Sequence, residues 1–275
     1  MINCFANALK GSLSTKEIYE NKKYFPINFI PLSDGGDGFL DTILFAFPKA
    51  KLHFIKAQNA LNITKKVPFL SIKNNNQKIA FIECAKICGL GEIPTHKRNV
   101  MKANSFGIGQ VIKHLTKQKY QKIYIGLGGV AFNDAGIGML KALNFNLLDK
   151  QNKEISLGIL GIKNLIKIIP PKNLHLPEII CFSDVKNKLL GQNGSARIYG
   201  PQKGANKKQV LIIENSLKHL QKIIKKNINK TFYGASGALP VSLCGILDAK
   251  IKQGTKEIFT LLKTKSCAKL SLLKE

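Results

Sequence analysis

Arginine is nearly absent from a chain that is otherwise strongly basic. Of the 43 Lys and Arg residues in 275 positions, only Arg98 and Arg197 are arginines, and the formal net charge is +27. A dedicated nucleic-acid surface usually clusters its charge and uses arginine for bidentate contacts. The lysines here are spread through nearly every segment, so we do not expect a nucleic acid as the main partner. A positive field would still attract an anionic substrate.

Long apolar runs and paired-cysteine motifs are missing too. With 44% hydrophobic residues the chain can bury a sizeable core, yet no window approaches a membrane-spanning length. The N-terminus lacks the layout of a signal peptide. We therefore expect a soluble, cytoplasmic protein with no membrane partner. The six cysteines are scattered and none forms CxxC, which favours buried free thiols over disulfides or a zinc site.

The usual nucleotide fingerprints, GxxxxGK[ST] and a full GxGxxG, are also absent. What is present is a buried strand at 122–125 that breaks into glycines, including Gly128 and Gly129, and then Asn133 and Asp134 before a run with helical spacing. Strand, glycine turn and helix in this order form an anion site, because the helix N-terminus presents free N–H groups. The alternative is an ordinary strand-to-helix turn that Asn133 or Asp134 caps.

Carboxylates follow two other predicted strands. Asp34 and Asp37 lie among three glycines after the strand at 27–32, and could bind a divalent metal together with water and phosphate oxygens. The same pattern suits a tight turn with Asx hydrogen bonds. Asp184 follows the strand at 178–182, where open α/β sheets keep their chemistry, although it could equally be a structural cap.

Further loops could bind anions. Lys10, Gly11 and Ser12 follow a first strand at 2–6, and Gln202 and Lys203 lie between small residues in a loop at 200–205. Each lysine could hold phosphate, or simply be solvated in a turn.

The remaining pattern alternates short strands with helices. Glu83, at the end of a predicted strand, would be an exposed carboxylate or a partner for a helix N-terminus. Segments 52–57, 67–72 and 78–83 predict an antiparallel meander that begins a second domain. Helices are predicted at 15–21, 40–47, 105–115 and 209–226, and residues 157–169 mix both signals.

Together these loops form an ordered set of six blocks. They are 10–14 (KGSLS), 31–38 (PLSDGGDG), 126–134 with its glycines and Asn-Asp pair, 184–187, 200–205 (GPQKGA) and 234–237 (GASG). In order and rough spacing the chain resembles the bacterial glycerate kinases, which are unrelated to P-loop kinases. The resemblance implies an α/β fold: a Rossmann-like domain built from both chain ends, with a mixed α/β domain inserted and the active site in the cleft between them.

On this resemblance, residues 1–51 and 246–275 would form the discontinuous Rossmann-like domain, and residues 52–245 the inserted domain. The chain also departs from the family pattern. Asn7 and Ala8 replace Asp and Ser, and Val130 and Phe132 replace Ser and Thr. The sequence ends where family members continue with further strands, so we expect an incomplete, truncated first sheet with an exposed edge.

The resemblance implies ATP- and Mg²⁺-dependent phosphorylation of D-glycerate. Asp184 would deprotonate the substrate hydroxyl, Asp34 or Asp37 would hold Mg²⁺, and Lys10 or Lys203 would neutralise phosphate charge. Substrate and phosphate would be bound by Gly11, Ser12, Gly128, Gly129, Asn133, Asp134, Gln202 and Lys203. The alternative hypothesis is a truncated, non-catalytic relic that binds a small acid or nucleotide without turnover. The oligomeric state is left open.

Overall fold

The structure is a computed structural model that describes residues 2–6, residue 17 and residues 27–266. Lys10, Gly11 and Ser12 lie outside the described residues, as do Asn7, Ala8 and, apart from Glu17, the helix predicted at 15–21.

Within the described residues, ten strands form three sheets. They are β1 (Ile2–Ala6), β2 (Ile27–Pro31), β3 (Lys51–Gln58), β4 (Thr64–Asn74), β5 (Gln77–Glu83), β6 (Lys122–Gly126), β7 (Asn146–Leu148), β8 (Lys167–Ile169), β9 (Glu178–Phe182) and β10 (Lys250–Lys252). The main sheet has the order β10-β9-β6-β5-β4-β3. Its first four strands are parallel, whereas β4 and β3 extend it as antiparallel strands. The parallel strands place their carboxyl ends, and the loops that follow, at one edge of the sheet.

Nine α-helices are described in these ranges. They are α1 (Phe39–Ala46), α2 (Cys84–Cys88), α3 (Phe106–Lys117), α4 (Ile137–Ala142), α5 (Ile159–Ile162), α6 (Ser195–Tyr199), α7 (Lys207–Ile224), α8 (Pro240–Gly245) and α9 (Gly254–Ser266). The local sequence explains where α7 begins, because Asn206 and Gln209 form a reciprocal capping box at its start. The segment that the sequence left unassigned contains α5 and β8.

The main sheet separates two hydrophobic cores. Within β5, Ala80 and Ile82 face the larger core, which is covered by α3, α4, α7 and α8. Ile79 and Phe81 face the smaller core, which α1 and α9 cover. Alternate residues of a strand point to opposite sides of the sheet. Because helices cover both sides, both faces are buried. The result is the expected mixed α/β architecture.

The first two strands form a parallel pair of their own, and among the described residues β1 and β2 bond only to each other. β10, by contrast, pairs with β9 of the main sheet, although the predicted boundary assigned it to the other domain. The boundaries at 51/52 and 245/246 stay a prediction.

The cysteines whose side chains the structure describes are free thiols, as the sequence predicts. Cys84, Cys88 and Cys181 are buried free thiols and Cys244 is half-buried. Burial raises the pKa of the Cys84 and Cys88 thiols well above the ordinary value, so both stay protonated. Across the described ranges, no helix combines the length and apolar character needed to span a bilayer.

Candidate functional site

The carboxyl ends of three parallel strands define the candidate site. Glu83, Gly126 and Phe182 end β5, β6 and β9 and lie side by side in register. The chain leaves these strands into the loops that carry the predicted site residues. This edge is where α/β sheets place ligands.

The loop at residues 34–38 lies directly on the glycine loop that follows β6. A Cβ at Gly126 would lie 2.8 Å from the Gly35 carbonyl oxygen, and one at Gly128 would lie 2.6 Å from the Gly36 Cα. Real Cβ atoms do not approach so closely, so the two backbones meet only because glycine has no side chain. The structure thus brings together two of the loops that the sequence predicted to share a site.

Asp34 and Asp37 are arranged differently within that loop. Asp34 Oδ1 accepts a 2.8 Å bond from the Gly36 N–H, which is an Asx turn. The Asp37 carboxylate faces Gly129, where a Cβ would lie 3.0 Å from Oδ1. Gly129 has φ +62°, a conformation that favours glycine. One carboxylate therefore shapes its own loop and the other lies over the glycine turn.

Asp34 and Asp37 fit an Mg²⁺ site that is completed by substrate phosphates and water. In the described part of the chain, no three His, Cys, Asp or Glu side chains converge as a metal cage. Mg²⁺ does not require one, because it is usually held by one or two carboxylates together with substrate phosphates and water. Asp34 and Asp37, both half-buried beside the glycine turn, offer such carboxylates.

Glu83 is buried rather than exposed, with 1% of its surface accessible. Its Oε1 accepts from the Gly38 N–H at 3.3 Å and its Oε2 from the Leu40 N–H at 3.0 Å. Burial raises the Glu83 pKa from 4.5 to about 7, the Leu40 bond opposes this, and nearby Asp37 adds to it. Of the two alternatives that the sequence left open, the structure selects the helix N-terminus partner.

Asp184 binds the start of α9. Its Oδ2 accepts the Thr255 backbone N–H at 3.0 Å and also the Thr255 hydroxyl. Gly254, beside Thr255, packs against the backbone of Asp34, so Asp184 and the 34–38 loop both adjoin the first turn of α9. The Oδ1 atom is buried and has no hydrogen-bond partner among the described residues. Asp184 therefore caps a helix with one oxygen and keeps the other unpaired.

Asn133 and Lys203 belong to a second, buried cluster. Asn133 Oδ1 accepts the Ser195 hydroxyl at 3.0 Å, while its Nδ2 is buried without a partner in the described chain. The Lys203 ammonium donates to the Phe132 carbonyl at 2.6 Å. Burial lowers the Lys203 pKa from 10.5 to about 7, which the charge of Asp134 partly opposes. This lysine is packed inside the protein and is not displayed to solvent.

Asp134 is fully buried and its carboxylate is occupied by the protein itself. Its Oδ2 accepts from the Ser105 N–H and hydroxyl, both at 2.9 Å, and from the Gly138 N–H at 3.0 Å, while Oδ1 accepts from the Gly136 N–H at 3.1 Å. These bonds tie the start of α3 to the start of α4. The cap that the sequence considered is therefore present, and a substrate-binding role for Asp134 stays a prediction that this geometry does not support.

Gln202 has an exposed side chain, and its backbone carbonyl accepts a 3.1 Å bond from Arg98. The side chains of Val130 and Phe132, which replace family hydroxyls, are buried in the larger core. Their bulk therefore packs into that core.

Sequence reasoning missed the partners of its site residues. Ser195, Ser105 and Thr255 each bind a predicted residue, and each stands at the start of a helix. Ser and Thr at helix starts are a recognisable signal. What the sequence lacks is any indication that these hydroxyls face loops up to 71 residues away.

Comparison with known proteins agrees with this fold. The chain belongs to the glycerate kinase family, which it matches over residues 4–272. It is 32% identical over 258 residues to the glycerate 2-kinase of Escherichia coli, covering 90% of this chain and 65% of that protein. It is 31% identical over 252 residues to the glycerate kinase of Halalkalibacterium halodurans, covering 88% and 64%.

The fold comparison reaches the same family. The crystal structure of a protein described as putative glycerate kinase 2 from Salmonella typhimurium LT2 superposes with a TM-score of 0.80 and 26% identity. The match covers 97% of this chain and 75% of that one. The chain thus spans roughly two thirds to three quarters of the length of these relatives.

Proposed function

We propose that this chain is a glycerate kinase that transfers the γ-phosphoryl group of ATP to D-glycerate. The observation that carries the proposal is the meeting of the 34–38 loop with the glycine loop at the carboxyl edge of the sheet, beside Asp184. Phosphoryl transfer requires mainly positioning and charge neutralisation, which these loops and their carboxylates would supply.

The triphosphate would lie along the glycine turn at Gly128 and Gly129, where the absence of side chains permits close backbone approach. Asp34 and Asp37 would hold Mg²⁺, which supplies charge neutralisation on the phosphate oxygens when bound. Asn133, whose Nδ2 is unpaired in the described chain, would donate to the substrate or phosphate. Gln202, Lys10, Gly11 and Ser12 remain proposed contacts from the family resemblance.

In the reaction, Asp184 would accept the proton of the attacking glycerate hydroxyl through its unpaired Oδ1. The hydroxyl oxygen forms a bond to the γ-phosphorus while the bond from that phosphorus to the β-bridging oxygen breaks. ADP and a phosphoglycerate leave. Lys203 would act differently from a solvent-exposed phosphate lysine, because its ammonium holds the Phe132 carbonyl and so fixes the loop that carries Asn133.

A coupled assay tests the activity directly. Purified protein with MgATP and D-glycerate should release ADP, and omission of D-glycerate should abolish the release. No ADP at high enzyme concentration, with intact folding by circular dichroism, would contradict the kinase proposal. Nucleotide or glycerate binding without turnover would instead support the non-catalytic relic.

A further inference from the structure

Glu83, at the end of β5, accepts two hydrogen bonds from a segment that lies far from it in the sequence. Both carboxylate oxygens are used, and both by the same short segment: Oε1 by the Gly38 N–H and Oε2 by the Leu40 N–H. Gly38 is the N-cap of α1, has φ +83° and has no side chain with which to cap the helix. Glu83, 45 residues away in sequence, supplies the acceptors that the local sequence lacks.

The segment that Glu83 holds is the one that carries Asp37. At the other end of the same loop, Gly35 packs on the end of β9 and Gly254 packs on the Asp34 backbone. The loop is therefore fixed at its Asp34 end by backbone packing and at its Asp37 end by Glu83. Asp37 immediately precedes Gly38, and its carboxylate is the group that faces Gly129.

We propose that Glu83 is a positioning residue for phosphoryl transfer: by holding the Gly38 and Leu40 amides, it keeps the Asp37 carboxylate over the Gly129 turn. This inference rests on the proposed kinase function, because it concerns the same site. On this proposal Glu83 acts through Asp37, because both of its oxygens are used by backbone N–H groups. Residues that orient a metal ligand typically change metal affinity or activity by about 10–100-fold when lost.

Glu83→Gln is the sharpest test, since it keeps the size of the side chain. A glutamine offers one acceptor oxygen and one donor NH₂ group, so one of the two backbone N–H groups would face a donor. Amide hydrogen exchange should then accelerate at Gly38 or Leu40 while the rest of α1 and the sheet stay protected. The KM for Mg²⁺ should rise and kcat/KM fall by about 10–100-fold.

Glu214→Gln is the matched control. Glu214 is also a buried glutamate, 3% exposed, and its Oε1 accepts a 2.9 Å bond from the Gly191 N–H in a different loop. Glutamine can keep this contact, because Glu214 Oε2 has no partner among the described residues, so the variant removes the charge of a buried glutamate outside the site and should keep wild-type kinetics. A double-mutant cycle with Asp37→Asn adds a readout that a purely structural role would not move: the kinetic effect of Glu83→Gln should largely vanish once the Asp37 charge is gone.

The results separate this inference from the kinase proposal. If the wild type binds MgATP in calorimetry but shows no turnover, the kinase proposal fails, and a weaker MgATP affinity of Glu83→Gln still supports the positioning role. Wild-type kinetics and MgATP affinity in Glu83→Gln, whether or not local exchange accelerates, would overturn it, as would a wild type that does not bind MgATP. Should Glu83→Gln not fold, Glu83→Asp, which keeps the charge but shortens the reach, carries the same expectations.

Discussion

Three carboxylates at the carboxyl edge of the sheet have different chemical settings. Glu83 is buried with both oxygens bonded to backbone amides, Asp37 faces Gly129, and Asp184 has one bonded and one unpaired oxygen among the described residues. Burying an unpaired polar atom is costly, and at Asp184 this atom lies at the carboxyl edge of the sheet, where the proposed reaction takes place. Of the three, only Asp184 has a buried oxygen without a partner in the described chain, which leaves that oxygen free to accept a proton.

Asp184→Asn should lower turnover by about a hundredfold or more, because an amide cannot accept the substrate proton. Stability should fall by only about 1 kcal/mol, since the asparagine oxygen can still accept from Thr255. The measurements are kcat from the coupled assay and the urea midpoint.

Thr255→Val is the matched partner of that variant. It removes the hydroxyl that donates to Asp184 Oδ2 but leaves the carboxylate in place. It should reproduce the loss of stability with a much smaller effect on kcat. If both variants lose stability equally and neither changes kcat, Asp184 is a helix cap and nothing more.

Among the loops and helices, the two glycine-rich segments form a single packed unit. Gly126 and Gly128 each approach the 34–38 loop more closely than any side chain would allow. The loops are separated by about ninety positions in the chain, yet each fixes the backbone path of the other. The shape of the proposed phosphate site is therefore set by backbone contacts between two elements and not by either alone.

Gly128→Ala should disturb this unit, because the added methyl would lie 2.6 Å from the Gly36 Cα, a backbone atom that cannot simply rotate away. We expect a stability loss of about 1–3 kcal/mol, typical of forced overpacking, together with weaker MgATP binding. Gly91→Ala is the control, since a Cβ there meets no atom within 4 Å. Equal urea midpoints for the two variants would show that the loops are not packed as described.

The sequence predicts some of these strands and loops well, but it predicts the contacts between them poorly. The strands at 122–125 and 178–182 and the loops that follow them are recognisable, because buried parallel strands are short apolar runs that end in small or polar residues. The hydrogen bond that the Gly38 N–H donates to Glu83 could not be predicted in this way, since nothing in the sequence near either residue specifies the other. Likewise the loop around Lys203 has the composition expected for an exposed phosphate-binding loop, and only the tertiary structure shows that this lysine is buried.

For the whole molecule, the burial of Glu83 and Lys203 links stability to pH in opposite directions. The folded-state pKa of Glu83 is raised from 4.5 to about 7, so the native state holds a proton that the unfolded state has lost, and stability falls as pH rises through this window. The folded-state pKa of Lys203 is lowered from 10.5 to about 7, so stability rises with pH between those values. Together the two groups place a stability minimum near neutral pH.

The contributions can be isolated as differences between wild type and variant in urea unfolding at about pH 5, 7 and 9, at one ionic strength because the net charge is +27. The stability of wild type relative to Glu83→Gln should fall by up to about 3 kcal/mol between pH 5 and 7. Relative to Lys203→Met it should rise between pH 7 and 9, at most by about 1.4 kcal/mol per pH unit. Lys218→Met, which removes an exposed ammonium, should show no comparable rise. A Lys203→Met difference that is flat between pH 7 and 9 would mean that Lys203 keeps its charge in the folded protein, and the buried bond to the Phe132 carbonyl would then be a charged one.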